Sequence, residues 1–330
     1  MYKRNLPAVL SALLLLLAVE VTAQQSVDPD SLKQYQLRGR RAIKAGEYEA
    51  ARDNWTRVLQ IAPDNFEALL NLGTTYAGTG RNEQALVYFK RAYEIDSSMA
   101  ELSNNLGAVY ANLGRPDDAF RHYLRAIELD PAQARYYANL GLEYIKGGRP
   151  SDALKSLRVA DSLQPGVPAV LYATANALAS MRAYDSAEVY YTRASDAGGK
   201  SAELLYFLGT VQRNRGDAVG ADTSFRAALA LNPDYKECRQ ALGLLYLQSG
   251  LYDRASEQLE HAVSLDRTFY PGVIALGVSY SMTRRFAEAD SLLQSLYAVD
   301  TALAFQMLDL IDAETARRRA REEAVKTREK

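Results

Sequence analysis

One stretch of the sequence has the letters of a chemical motif. Ala194 to Ser201 reads ASDAGGKS and ends in Gly-Lys-Ser, like a phosphate-binding loop. Such a loop holds phosphate through backbone N–H groups, and a β-strand must lead into it. The residues before Ala194 instead have apolar side chains at helical spacing. We therefore predict a plain turn between helices at this point, and no nucleotide cofactor.

Metal-binding and nucleophilic side chains are few. The sequence has two histidines, His122 and His261, and one cysteine, Cys238. The histidines fall on second helices that are four of the repeat units described below apart, so they cannot meet as ligands, and with the cysteine they make no zinc set. No nucleophile lies beside a base, and Cys238 falls at a position where the related units described below are apolar, which favours an inert, packed thiol. We expect no catalytic residues, no metal and no cofactor, and hence no enzyme.

The N-terminal residues have the order of a secretory signal. Two basic residues precede an apolar run from Ala8 to Val19, and Val21 to Ala23 offers the small residues at which a signal peptidase cleaves. We predict a signal peptide over 1–23, a short linker over 24–31, and a periplasmic or extracellular location. An anchor formed by the uncleaved N-terminal helix is the alternative, although a spanning helix needs about 20 apolar residues.

The charge of the chain is close to balanced. It has 39 basic and 40 acidic residues, for a formal net charge of −1. This balance gives no electrostatic reason to expect a nucleic acid or an anionic membrane as partner. A single cysteine allows no internal disulfide. We expect a protein or peptide partner, and no stable membrane insertion after signal cleavage.

Most of the sequence repeats itself every 34 residues. Glycine marks the register, twelve residues later stands an alanine, and four residues after that a large side chain. The glycines are Gly39, Gly73, Gly107, Gly141, Gly209, Gly243 and Gly277, with Ala175 in the remaining slot. The large residues are Trp55, Phe89, Tyr123, Leu157, Tyr191, Phe225, Leu259 and Leu293. The eight units are 32–65, 66–99, 100–133, 134–167, 168–201, 202–235, 236–269 and 270–303.

Each unit has the apolar spacing of two helices. Leu69, Leu72 and Tyr76 step by three and four, and this predicts helix A with the glycine, followed by a tight turn and helix B with the alanine. A glycine within a helix costs about 1 kcal/mol relative to alanine. Its recurrence at one register indicates a steric reason, namely the close approach of the two helices of a pair.

The order L-G-x-x-Y, then G-x-x-x-x-A-x-x-x-[FY]-x-x-A, then proline resembles the tetratricopeptide repeat, over almost the whole chain. Repeat 5 departs at Ala175 and Arg182, and repeat 8 departs at Arg284 and lacks the closing proline. The resemblance implies an all-α fold, a right-handed α-α superhelix (α-solenoid) whose A helices line a concave groove.

The array needs an end. Residues 304–330 predict a C-terminal capping helix followed by a charged tail. In the phase of a ninth unit, Met307 and Leu310 take core positions and Ile311 takes the glycine slot. We expect the segment from Glu314 onwards to be solvated.

The resemblance places partner-binding residues on the A helices. Asn71, Asn105 and Asn139 stand two residues before the glycine of repeats 2 to 4, with Asn104 and Ala108 beside them. A similar asparagine ladder lines the tetratricopeptide superhelix of O-linked GlcNAc transferase, where it holds extended peptide, since an amide offers a donor and an acceptor. The alternative is that asparagine is simply frequent at this position of the repeat.

The later repeats change character. The equivalent or neighbouring groove positions are aromatic or apolar, namely Tyr172, Tyr206, Phe207, Leu244, Leu247, Ile274, Val278 and Met282. Such a stripe favours a helix or apolar side chains of a partner. It also fits the chain's own C-terminal helix, or packing between neighbouring repeats.

Two functions follow from this sequence. The first is a non-catalytic protein-interaction scaffold of the cell envelope, binding an extended peptide or a partner helix in the groove. The alternative is a structural or self-assembling subunit of an envelope complex, with contacts through its convex face or the ends of the array.

Overall fold

The structure is a computed structural model that describes residues 29–328, with side chains from 30 to 320. The signal peptide predicted over 1–23 and residues 24–28 of the predicted linker lie outside the described residues. The last linker residues, 29–31, already belong to the first helix. Across residues 29–328 the chain forms 17 α-helices and one short π-helical turn, without a β-strand.

The helices follow one another with short connections. The helices A of repeats 1 to 8 are α1 (Pro29–Ala45), α3 (Phe66–Gly78), α5 (Ala100–Asn112), α7 (Ala134–Lys146), α9 (Pro168–Ser180), α11 (Ala202–Arg215), α13 (Lys236–Gln248) and α15 (Tyr270–Met282). The helices B are α2 (Tyr48–Ile61), α4 (Asn82–Ile95), α6 (Pro116–Leu129), α8 (Pro150–Leu163), α10 (Tyr184–Ala194), α12 (Ala218–Leu231), α14 (Tyr252–Leu265) and α16 (Phe286–Val299). The last helix is α17 (Thr301–Arg328).

The chain divides into two compact units, unit 1 ending at Glu143 and unit 2 beginning at Tyr144. In unit 1, each helix from α1 to α5 packs on the next one in the chain. In unit 2 the same holds from α8 to α17, and α17 also packs on α15. Because neighbouring helices supply the apolar partner surface, each pair is stabilised by the next. The predicted all-α, α-solenoid fold class is confirmed.

The repeating glycine lies where helix A meets the large residue of helix B. A Cβ atom on Gly107 would lie 2.6 Å from Cδ1 of Tyr123, a distance that real Cβ atoms do not show. The same conflict would arise at Gly243, 2.6 Å from Cγ of Leu259. In these two repeats, the observed packing of the pair therefore leaves no room for a side chain at the glycine. In repeat 5, the fully buried Ala175 occupies this slot.

In repeat 8, the side chain that packs against the repeating glycine differs from the predicted one. The atoms nearest to a Cβ on Gly277 belong to Met307 of α17, rather than to Leu293 of its own helix B. Met307 is 1% exposed, whereas Leu293 is only half-buried. The last helix thus supplies the side chain that fills the slot of the preceding repeat.

The C-terminal helix docks along a seam with alternating spacings of three and four. Ala304, Met307 and Glu314 are buried, and Ile311 is half-buried between them. This spacing keeps one helix face against its neighbour. It turns Leu310 outward, so the core position predicted for Leu310 is wrong, since 42% of this residue is exposed.

The charged segment is anchored at its beginning. Glu314 is 3% exposed, and its carboxylate accepts hydrogen bonds from the hydroxyl of Tyr252 at 3.2 Å and from Arg317 at 3.0 Å. Nη1 of Arg318 donates to the carbonyl of Met282 at 3.3 Å. The structure therefore differs from the expected solvated tail at Glu314, because the docking seam continues through this residue and a buried carboxylate must be hydrogen-bonded.

The turn between helices A and B contains one residue in the left-handed backbone conformation. Glycine supplies it in six repeats, as at Gly114 with a φ of 69° and Gly148 with a φ of 67°. Repeats 5 and 8 use Arg182 and Arg284, with φ of 59° and 61°. A residue with a Cβ atom pays a steric cost in this conformation that glycine avoids.

Arg182→Gly is expected to raise the free energy of unfolding by about 1 kcal/mol, because glycine removes this steric cost. The measurement is the midpoint of urea unfolding, followed by far-ultraviolet circular dichroism. Gly148→Arg is the matched control, and it should lower the midpoint. A midpoint for Arg182→Gly at or below that of the unchanged chain would contradict the assignment of strain to this turn.

Candidate partner-binding surfaces

In unit 1, the asparagines of the predicted ladder are half-buried on their A helices. Nδ2 of Asn139 donates to Oδ1 of Asn104 at 2.8 Å, which joins α7 to α5. Asn104 is itself 4% exposed, so its role in the structure is to hold Asn139. Nδ2 of Asn71 donates to the carbonyl of Glu67 at 2.8 Å. Each ladder amide also has a carbonyl oxygen, and a second N–H is available on the same nitrogen.

Charges beside the ladder are paired across neighbouring A helices. Nη2 of Arg40 on α1 donates to Glu67 on α3 at 2.6 Å. Arg135 on α7 lies 3.5 Å from Glu101 on α5. Ala108, the predicted position next to Asn105, is half-buried. This surface of unit 1 is polar with compensated charge, which suits the main chain of a peptide better than a charged ligand.

The predicted aromatic residues of unit 2 form one cluster. Ring centroids lie 5.2 Å apart between Tyr206 and Phe207, and 6.3 Å apart between Tyr172 and Phe207. The cluster also contains Tyr191, Phe225 and Tyr235. Tyr172, Tyr206 and Phe207 are half-buried, so each contributes to packing and also presents part of its ring to solvent.

Burial keeps these phenols protonated. It raises the pKa of Tyr172, whose hydroxyl donates to Oε1 of Glu203 at 3.0 Å. It also raises the pKa of Tyr235 to about 12. At neutral pH the hydroxyls are therefore uncharged hydrogen-bond donors.

A cleft of about 390 Å³ lies between α13, α15 and α17 of unit 2. We call it the C-terminal cleft. Ile274 and Val278 are almost fully buried along it, and Leu310 is exposed on its α17 wall. The remaining lining residues are Gln240, Leu244, Leu247, Gln248, Pro271, Ala275, Leu303, Gln306, Glu314 and Arg317. The cleft thus has apolar walls with three glutamine amides and one ion pair around them, a composition typical of sites that hold an apolar side chain.

Four of the predicted groove residues line this cleft, namely Leu244, Leu247, Ile274 and Val278. Sequence reasoning missed Leu303, Gln306 and Leu310, because the ninth-unit phase assigned Leu310 to the core. The seam spacing of Ala304, Met307 and Ile311 was the available signal, since it leaves the adjacent helix face uncovered.

Met282, at the end of α15, does not line the C-terminal cleft. It is 7% exposed and lines a second cleft at the turn edge of repeats 7 and 8. Its carbonyl oxygen accepts the hydrogen bond from Arg318 described above.

The motifs with possible chemistry have structural roles. Cys238 is fully buried, its Sγ lies 3.4 Å from the carbonyl of Phe225, and burial raises the thiol pKa to about 12. His122 packs between the rings of Tyr93 and Tyr110, and desolvation lowers its pKa. Helix α10, rather than a strand, leads into the turn Ser195–Gly199, which confirms the predicted inter-repeat turn.

Two negative findings apply to the described part of the chain. Within it, no group of three or more His, Cys, Asp or Glu side chains is placed to hold a metal ion. None of the helices between residues 29 and 328 combines the length and apolar character needed to cross a membrane.

Family models described as tetratricopeptide repeat match over residues 37–100 and 172–236, over 100–133, and over 214–276. Together these matches cover more than half of the sequence. The chain belongs to the tetratricopeptide repeat family. The paired helices in the structure agree with this assignment, and the repeats support a role as a protein-interaction scaffold.

Curated relatives match over a short range. The chain is 32% identical over 78 residues to BBSome complex member bbs-4 of Caenorhabditis elegans, and 36% identical over 76 residues to BBSome complex member BBS4 of Bos taurus. These matches cover 24% and 23% of this chain, and only 17% and 15% of the relatives.

A solved structure shows the same fold. The structure of pilF from Pseudomonas aeruginosa superposes with a TM-score of 0.57 at 24% identity, covering 64% of this chain and 96% of that one. At this identity the similarity establishes the arrangement of helix pairs.

Proposed function

We propose that this chain is a non-catalytic scaffold of the cell envelope, which binds an extended peptide or a partner helix through the groove faces of its A helices. The observation that carries the proposal is the C-terminal cleft. Its apolar walls are open to solvent on the A-helix side of repeats 7 and 8, and Leu310 is 42% exposed there. Burying one leucine-sized side chain of a partner against such walls contributes about 2 kcal/mol.

Polar residues of the cleft could orient a bound peptide. Gln240 and Gln306 have amides that offer donors and acceptors to a peptide main chain on either side of the apolar floor. An apolar anchor between polar rim groups is the common arrangement of peptide-binding grooves. Binding of a partner helix would use the same floor, with apolar residues at intervals of three and four.

The polar surface of unit 1 is the second binding face in this proposal. The pairing of Asn139 with Asn104 holds one amide in a fixed orientation. The ion pair between Arg40 and Glu67 removes net charge from the same surface. A fixed, uncharged row of amides is suited to an extended main chain, which presents a carbonyl and an N–H at every residue.

The envelope location rests on the N-terminal sequence. The basic start, the apolar run from Ala8 to Val19 and the small residues before Gln24 are the supporting features. N-terminal sequencing of the protein purified from its native cells should begin at Gln24. A protein that begins at Met1 would contradict cleavage at this position.

The curated relatives are consistent with a scaffold. Both are members of the BBSome complex by name. We infer from this only that such repeats hold protein partners in this chain as well.

The test of the proposal is peptide selection on the full chain, followed by variants. Peptides selected from a random library should contain a conserved apolar residue, and Leu310→Asp should weaken their binding about tenfold or more, because a carboxylate would enter an apolar cleft. Val219→Asp, at a residue that is 79% exposed on helix B of repeat 6, is the matched control. Equal binding by the Leu310 variant would refute the role of the cleft.

Self-assembly is a second candidate, favoured by one surface at the end of the array. The rings of Tyr297 and Phe305 meet edge to face at 6.0 Å, and Phe305 and Val299 remain 58% exposed beside them. An apolar end of this kind is typical of a contact between copies. If it is one, Phe305→Glu should convert a dimer to a monomer in light scattering. A monomer before the substitution would exclude this candidate.

A further inference from the structure

A second cleft, separate from the C-terminal cleft, gathers positive charge at the turn edge of repeats 7 and 8. Its volume is about 560 Å³. We call it the arginine cleft, and its lining includes Leu251, Asp253, Arg254, Met282, Arg284 and Arg318. Three arginines thus face one aspartate. They come from three different elements, namely α14, the turn after α15, and α17.

The first arginine, Arg254, stands where no other repeat has a basic residue. In repeats 3, 4 and 8, an arginine before helix B pairs with an acid three residues later, namely Arg115 with Asp118, Arg149 with Asp152, and Arg285 with Glu288. Repeat 7 has leucine in place of the arginine, at Leu251, and arginine in place of the acid, at Arg254. This exchange reverses the charge at a slot that is otherwise acidic or neutral.

The second arginine breaks another rule. Arg284 stands in the left-handed turn position that is glycine in six repeats. Arg284 therefore adds a long cationic side chain to the lining of the cleft, whereas a glycine at this position would add no side chain. Backbone strain at a polar cleft is a feature of functional sites. Neither Arg254 nor Arg284 makes an ion pair among the described residues.

The third arginine is held in place. Nη1 of Arg318 donates to the carbonyl of Met282 at 3.3 Å, so its guanidinium lies at the rim. The carboxylate of Glu314 on α17 is buried and accepts hydrogen bonds from Arg317 and Tyr252. Leu251, at the start of α14, makes no side-chain capping hydrogen bond, and the N-terminal end of this helix adds partial positive charge.

We propose that the arginine cleft binds an acidic peptide segment of a protein partner, with carboxylates on Arg254 and Arg284 and an apolar residue against Leu251 and Met282. Guanidinium groups bind carboxylates through paired, charge-assisted hydrogen bonds. The cleft is larger than a single small anion requires, and its lining mixes apolar and cationic groups. A peptide that alternates acidic and apolar residues matches both properties.

The experiment uses the full chain and a fluorescein-labelled hexapeptide of alternating glutamate and leucine, with fluorescence anisotropy as the readout. Binding should weaken as salt is raised. Arg254→Gln and Arg284→Gly should each weaken it about tenfold. Arg182→Gly makes the same change at the turn of repeat 5 and should leave the affinity unchanged.

The Arg284→Gly variant separates binding from folding. Glycine relieves the left-handed strain, so this variant should unfold at a higher denaturant concentration while it loses affinity. An affinity equal to that of the unchanged chain, in either Arg254→Gln or Arg284→Gly, would overturn the proposal. So would equal binding of a hexapeptide with lysine in place of glutamate, or displacement of the acidic peptide by inorganic phosphate at the peptide's own concentration.

The arginine cleft and the C-terminal cleft are separate sites, since they share no lining residue. Leu310→Asp should therefore leave the affinity for the acidic peptide unchanged. Loss of acidic-peptide binding in that variant would assign the peptide to the C-terminal cleft and overturn the arginine cleft as its site.

Discussion

Gly107→Leu is expected to lower the free energy of unfolding by about 3 kcal/mol, because the leucine overpacks the contact between helices A and B. Even a Cβ atom at this position would lie 2.6 Å from the ring of Tyr123, which is fully packed in helix B of the same repeat. A leucine adds three more carbon atoms to that conflict, so the two helices must separate. Thermal unfolding monitored by circular dichroism measures the effect.

Gly107→Ala is the graded control for that experiment. Repeat 5 shows that an alanine, Ala175, is accommodated in this slot opposite a tyrosine position. The alanine variant should therefore lose less stability than the leucine variant. Equal melting temperatures for the leucine variant and the unchanged chain would show that the register does not depend on close approach of the helices.

Met307→Ala is expected to cost about 3 kcal/mol in the docking of α17. Met307 is 1% exposed and its side chain fills the slot above Gly277. Its loss leaves a cavity at the junction of α15 with α17. Since α17 forms one wall of the C-terminal cleft, we also expect weaker binding of selected peptides.

The matched control lies on the same helix. Phe305→Ala removes a larger side chain, but Phe305 is 58% exposed, so little stability should be lost. Hydrogen exchange of the amides in α17 distinguishes the two variants, since undocking accelerates exchange in this helix. Faster exchange in Phe305→Ala than in Met307→Ala would contradict the assigned seam.

The repeats were predictable because one physical constraint recurs at a fixed period. The close approach of two helices excludes a side chain at Gly73, Gly107 and Gly243, so glycine recurs there at a fixed spacing. This spacing is visible in the sequence, although the overall composition does not reveal it. Glycine also recurs at the turn between helices A and B, because the backbone there is left-handed and glycine adopts this conformation most easily. The positions of helices A and B and the boundaries of the repeats follow from these recurring glycines.

The binding surfaces were less predictable, because they depend on contacts that the repeat does not encode. The phase of a ninth unit assigned Leu310 to the core, but the docking seam follows its own spacing through Met307 and Glu314. Asn104 and Asn139 are close because α5 and α7 lie side by side, and their hydrogen bond has no signature in either unit alone. The arginine cleft likewise joins residues from three elements.

We expect the A-helix groove faces, rather than the B helices, to hold the partner. Site-specific photo-crosslinking in the native cells distinguishes the two faces, with a photoreactive amino acid at Ala108 or Leu244 on the groove faces, or at Arg121 on helix B. We predict that the groove probes capture one discrete partner, and that replacing Asn71, Asn105 and Asn139 with alanine abolishes capture at Ala108. Capture at Arg121 alone, or capture only of a second copy of this chain, would contradict the account and favour the assembly function.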